Sequence, residues 1–210
     1  VYEVNKEYFK NIAYEEAKNN FEILKIFRLW NAQFNGIYVK SDGKLKPNKY
    51  LENNHIFSKE GELLIKINPA WMTKQVAELT NENKNGKYKY RITSLKPLNP
   101  ENFPNEFEKE ALLFFEKNLN EDYYFTINKE LNNFNFMGKL SVDKSCLQCH
   151  GSQGYKEGEV RGGISISIPF DINDLNQKEM EYYYKLQIFL IILVGILIYA
   201  FIFFFTNNFY

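Results

Sequence analysis

Along residues 4–33 the apolar positions Phe9, Ile12, Ala13, Ala17, Phe21, Leu24 and Phe27 recur at helical steps. The polar Lys10, Asn11, Glu15, Lys18, Glu22 and Lys25 fall mostly on the other side. That period predicts one long amphipathic helix. Gly36 ends it, and residues 37–40 read as a strand. The polar, turn-rich stretch 41–60 reads as a loop. A short strand follows at 62–67. Asn68-Pro69 then opens a helix through residue 79, because Asn caps well and Pro fits the first helical position. Tyr88, Tyr90 and Ile92 alternate along a strand at 87–95. Pro97, Pro100 and Pro104 punctuate a loop. Residues 107–119 read as a helix with Phe107, Ala111, Phe114 and Phe115 on one side. Strands are predicted at 123–128 and 134–140. After a Gly-rich loop at 151–163, Ile164, Ile166 and Ile168 alternate with Ser165 and Ser167 along another strand. Asp171, with Asp174 three residues on, opens a last helix in the manner of a capping box. The elements add up to an α+β fold, a sheet of five or six strands between two long helices.

The last helix changes character at residue 188. Residues 188–205 are uncharged and almost wholly apolar, close to the length of about 20 that a membrane span needs. Tyr182, Tyr183, Tyr184 and Lys185 before it, and Asn207, Asn208 and Tyr210 after it, suit an interfacial belt. A soluble core helix is rarely apolar on every face for so long. The first residue is Val rather than Met, which fits a processed chain or an excised segment.

Charge narrows the partners. The 210 residues carry 26 Lys and Arg against 26 Asp and Glu, so no basic excess is available for nucleic acid. Aromatic residues make up 17% of the chain, ample for a packed core.

The chemistry lies in Cys146-Leu147-Gln148-Cys149-His150, which fits the attachment pattern for c-type haem. Two thiols three positions apart reach the two vinyl groups of one porphyrin, and the adjacent His150 projects an imidazole as axial ligand to the iron. These are the only two cysteines, and His150 is one of two histidines. A redox disulfide would want a thioredoxin-like strand and helix around it, whereas a turn and a Gly-rich loop flank this motif. Zinc would want about four ligands, and no second Cys pair exists. Covalent haem attachment also implies a compartment outside the bacterial cytoplasmic membrane. The residues leave the sixth ligand open among His55, Met72, Met137, Met180 and none, with a solvated His55 and a core Met72 as the plain readings.

A family resemblance runs through the same region. It is carried by Trp30-Asn31-Ala32-Gln33, Gly36-Ile37-Tyr38-Val39, Asn68-Pro69-Ala70-Trp71-Met72-Thr73-Lys74-Gln75 and Ile92-Thr93-Ser94-Leu95-Lys96-Pro97. Asn99-Pro100-Glu101-Asn102, the Cys146–His150 motif with Gly151, Gln153-Gly154-Tyr155-Lys156 and Arg161-Gly162-Gly163-Ile164-Ser165 continue it. In order and spacing the chain resembles the haem-c-binding, PAS-like periplasmic sensors, formerly a domain of unknown function. They are found in membrane histidine kinases and as free cyanobacterial haem proteins. The resemblance covers most of residues 28–170. It implies a PAS-like antiparallel sheet packing the haem on one side, flanked by the membrane helix that carries the signal. In the free members a Cys on the helix before the Thr-Ser-Leu-Lys stretch is the second axial ligand. This chain has none there, and Met72 stands on that helix instead, so Met72 is the expected sixth ligand, with His55 as the alternative. Lys156 and Arg161 are expected on the haem propionates or, equally, as plain surface charge.

The expected organisation is a signalling helix over 1–35, a haem c sensor domain over 36–170, a juxtamembrane helix over 171–187 and a transmembrane helix over 188–206. The expected function is a periplasmic sensory domain of an inner-membrane receptor, with a histidine kinase or other output following. It would respond to redox state or a diatomic gas and work as a homodimer along its long helices. The segment itself has no second catalytic constellation. The rival reading is a membrane-anchored monohaem cytochrome that only carries electrons.

Overall fold

The computed structural model describes residues 2–83, 86–128, 132–169 and 172–208. The chain forms two compact units, residues 9–169 and the segments 1–8 with 170–210.

Helix α1 (Tyr2–Gln33) buries Ala13, Ala17, Phe21 and Leu24, spaced by four, four and three as one helical face requires. Asn35 and Gly36 take positive φ of 54° and 88°, and the Gly36 N–H closes the helix on the Asn31 carbonyl at 3.0 Å. Strands β1 (Ile37–Lys40), β2 (His55–Phe57) and β3 (Leu63–Ile67) form a three-stranded sheet ordered β1-β3-β2. Helix α2 (Pro69–Glu82) starts at Asn68, whose side chain accepts from the Trp71 N–H at 2.9 Å. Strand β4 (Lys89–Thr93) leads through a 3-10 turn at Pro100–Asn102 to helix α3 (Glu106–Lys117). Asn105 and Glu108 close a capping box at the α3 start. Strands β5 (Tyr123–Asn128) and β6 (Asn133–Ser141) follow, then the short helix α4 (Leu147–His150) and strand β7 (Val160–Pro169). The second sheet is ordered β4-β7-β6-β5, and every strand pair in both sheets is antiparallel.

The pleat of β6 sends alternate residues to opposite layers. Phe134 and Phe136 are fully buried, and Phe136 meets Phe21 of α1 at 6.3 Å between ring centroids. Met137, one position on, packs with Ala111 and Phe115 of α3. The strand β7 follows suit: Ile164, Ile166 and Ile168 pair beside Gly138, Phe136 and Phe134, while the Ser165 hydroxyl reaches Glu108 of α3. Helices α1 and α3 therefore cover opposite faces of this sheet. The expected α+β class with antiparallel strands and a long first helix holds.

Two expectations change. The single sheet of five or six strands is two sheets with seven strands among the described residues. The stretch read as a loop at 41–60 contains β2, three exposed residues whose only signal is their pairing with β3. From Phe9 on, the apolar face of the first helix is part of the core of residues 9–169.

In the other unit, α5 (Ile172–Asn208) is one helix of 37 residues. Its segment Met180–Asn207, with mean hydropathy 3.1, is long and apolar enough to cross a membrane. Lys185 pairs with Glu181 one turn back at 2.7 Å.

Candidate functional site

The Cys146–His150 motif sits in a loop tied at its base. The Val142 N–H donates to the Glu159 carbonyl at 2.9 Å, and the Gly158 N–H donates to the Val142 carbonyl at 2.8 Å. Asp143 then starts the turn, its carboxylate accepting from the Ser145 hydroxyl and from the Cys146 N–H at 3.1 Å. Burial opposes these bonds, yet they hold the Asp143 carboxyl below its ordinary value. One turn of α4 follows. Helical backbone brings positions three and four apart onto one face, so positions 146, 149 and 150 share it. Cys146 carries a free, half-buried thiol whose pKa burial pushes up. The Cys149 side chain lies outside the described residues.

His150 opens onto a cavity of about 690 Å³, a volume usual for small-molecule and cofactor sites. Trp71, Ile92, Leu98 and Leu140 give it apolar wall, and Arg28 and Arg161 reach it from α1 and β7. Burial pushes the His150 imidazole below its ordinary pKa; its bond with Gln153 opposes this, while Arg161 and Arg28 add to it. His150 is therefore neutral at neutral pH. Its Nδ1 lies 2.6 Å from Gln153 Oε1. An amide oxygen only accepts, so this contact favours a proton on Nδ1, the tautomer that leaves the Nε2 lone pair for a metal. Arg161 Nε stands 3.2 Å from the same Nδ1, a contact that competes with this tautomer.

Ser94 anchors Arg161. The hydroxyl donates to the Arg161 carbonyl at 2.7 Å and accepts from its guanidinium at 2.6 Å. The ring of Tyr155 lies 5.1 Å from the same guanidinium. Arg28 is fixed in turn by the Pro69 carbonyl at 3.0 Å and the Thr73 hydroxyl at 2.9 Å. Burial lowers its pKa to about 10, so it stays charged at neutral pH.

Of the residues expected at the site, His150 and Arg161 come together at the cavity. Lys156 is exposed on the loop and does not line it. Met72 does not line it either: its sulfur takes a contact from Asn31 Nδ2 at 3.9 Å, while its neighbours Trp71 and Lys74 face the cavity. His55 is exposed on β2, 2.7 Å from Asn54 Oδ1. Met137 is buried in the core under α3, and Met180 lies on α5. Within residues 9–169, none of the candidates His55, Met72 and Met137 lines the cavity onto which His150 opens. Sequence reasoning missed Arg28 and Gln153. Gln153 stands three positions after His150, one turn along, which was the available signal.

The donor set fits the c-type haem expected from the motif. A neutral imidazole, apolar wall and two guanidinium groups for carboxylates meet at one cavity, and the free Cys146 thiol lies one helical turn before His150 on the same loop.

A sequence profile of the Tll0287-like family matches residues 6–169. Among solved structures, the crystal structure of the cyanobacterial haem protein Tll0287 is similar with a TM-score of 0.50 at 18% identity, over 76% of this chain and 96% of that one. At that identity the likeness speaks for the fold. Comparison with curated proteins gives no match. The family match spans both sheets, α1 to α4 and the whole His150 cavity, and the chain belongs to the Tll0287-like family.

Proposed function

We propose that residues 9–169 bind one haem, attached through Cys146 and Cys149 and ligated by His150, as the sensory part of a membrane-anchored periplasmic receptor. The observation that carries this reading is the His150 imidazole, neutral and held by Gln153 at a cavity beside a Cys-x-x-Cys pair. The description of Tll0287 as a haem protein supports it. When bound, the haem would supply a redox-active iron, held by the His150 imidazole and by thioether links to Cys146 and Cys149.

The chain's own residues do the rest. Gln153 and Arg161 meet the His150 Nδ1 and hold the rotation of the imidazole. Trp71, Leu98 and Leu140 keep water from the cavity wall. Ser94 ties Arg161 to the start of β7, so a change at His150 is passed to the strand that pairs with both β4 and β6. The signal read is redox state or a diatomic gas. The helix α5 anchors the receptor, a histidine kinase or other output follows on the cytoplasmic side, and the receptor works as a dimer.

The test is expression, directed to the periplasm of a host with c-type haem maturation machinery. The purified chain should gain the mass of one haem that survives denaturation. The double variant Cys146→Ala, Cys149→Ala should lose it, and His150→Ala should keep it with an altered absorption spectrum. A wild-type chain that matures without covalent haem in that host would overturn the reading. Nitric oxide added to the reduced protein should shift its spectrum; an electron carrier with both axial positions firmly filled would not respond.

A further inference from the structure

The chain is rich in lysine and has only three arginines, Arg28, Arg91 and Arg161. Arg91 is ion-paired with the buried Glu108, Nε to Oε1 at 3.0 Å. Among the described residues neither Arg28 nor Arg161 has an ion pair, and both line the His150 cavity. Arg28 is positioned by the Pro69 carbonyl and the Thr73 hydroxyl, with the Asp143 carboxylate near enough to act on its charge, and Arg161 by the Ser94 hydroxyl and His150 Nδ1. These hydrogen bonds hold the side chains in place without neutralising them. Lys46, Lys49, Lys66 and Lys74 add to the same wall, against the carboxylates of Glu52 and Glu101. Lys74 already holds Glu101. Two like charges brought to one half-enclosed space repel, and low local polarity strengthens the repulsion. An anion between them relieves that repulsion. A planar fork with fixed direction suits a carboxylate, which it meets bidentately, better than a flexible ammonium does.

We propose that Arg28 and Arg161 form a carboxylate clamp in the His150 cavity, and that its occupants are the two propionates of the haem. The proposal rests on the haem reading above. Its source of carboxylate is separable from a soluble one, because the haem stays covalently attached when the clamp is broken.

The experiment measures the midpoint potential of the covalently loaded chain against pH. With both arginines in place the propionates stay ionised, and the potential is flat between about pH 5 and pH 8. In Arg28→Gln, which keeps donors for Pro69 and Thr73 but removes the charge, a propionate pKa rises into that window. Reduction is then coupled to proton uptake, so the potential falls as pH rises through the window. Arg161→Gln should do the same. Arg28→Lys should restore a flat profile, and Lys156→Gln, on the same loop but outside the cavity, should leave it flat. Loaded Arg28→Gln and Arg161→Gln proteins that both keep a flat profile would overturn the clamp.

The second arm adds succinate at constant ionic strength. No saturable change in the potential of the wild-type protein is expected. A saturable shift that Arg28→Gln abolishes would move the clamp to a soluble carboxylate and overturn the propionate assignment. If the wild-type chain carried no haem at all, the haem reading would fail by itself. The carboxylate chemistry would then be decided by calorimetry: succinate binding that Arg28→Gln abolishes upholds it, and no binding refutes it.

Discussion

Gln153 and Met72 show how much one contact decides at a metal site. Gln153 contributes a single acceptor, 2.6 Å from His150 Nδ1, and that acceptor favours the tautomer able to ligate against the competing Arg161 Nε–H. Met72 has the right chemistry for iron but lies against Asn31, next to residues that do face the cavity. On a helix, neighbouring positions point about 100° apart, so Trp71 faces the cavity and Met72 does not. Met72→Ala in the loaded protein should therefore leave the absorption spectrum and the midpoint potential unchanged. Spectroscopic titration of the purified variant checks this, and loss of a sulfur-to-iron signature would return Met72 to the iron.

At the scale of elements, the domain depends on a close approach of α1 to β6. A Cβ built on Gly138 would lie 2.3 Å from the Phe21 ring, so only glycine admits that ring against Phe136 and Tyr123. Gly138→Ala must push α1 away or force Phe21 out of its rotamer. Overpacking of this kind costs about 1–3 kcal/mol, which thermal unfolding should record as a lower melting temperature. The paired variant Gly138→Ala, Phe21→Leu should recover part of the loss, and no recovery would show that the strain lies elsewhere. On the opposite face, Glu108 caps α3 and also receives Arg91 and Ser165. One carboxylate thus joins α3, β4 and β7.

At the scale of the whole molecule, residues 9–169 and helix α5 ask for different solvents. The first unit buries its apolar residues in two layers around a sheet. The second carries a span in which Ile191, Leu197 and Phe204 are each more than 60% exposed, a cost in water that a bilayer removes. The full chain should stay in the membrane fraction after alkaline carbonate extraction, and a chain ending at Pro169 should move to the soluble fraction. Release of the full chain by carbonate would count against a spanning helix.

Much of this was legible in the sequence because it is local. Apolar spacing determined α1, the Asn68-Pro69 pair determined the start of α2, alternation determined β7, and an unbroken apolar run determined the candidate span. The Cys146–His150 motif marked the place of the chemistry, because its spacing within one turn survives any fold. The sequence could not show that the strands form two sheets, since pairing joins residues far apart and β2 has no buried face to mark it. Nor could it show which cations meet at the cavity. Arg28 lies more than a hundred residues from His150, and only the packing of α1 against α2 and the loop of α4 brings them to one space. Local pattern determined the elements and the motif. The tertiary structure decided which neighbours His150 has, because burial and charge at a site are properties of what folds around it.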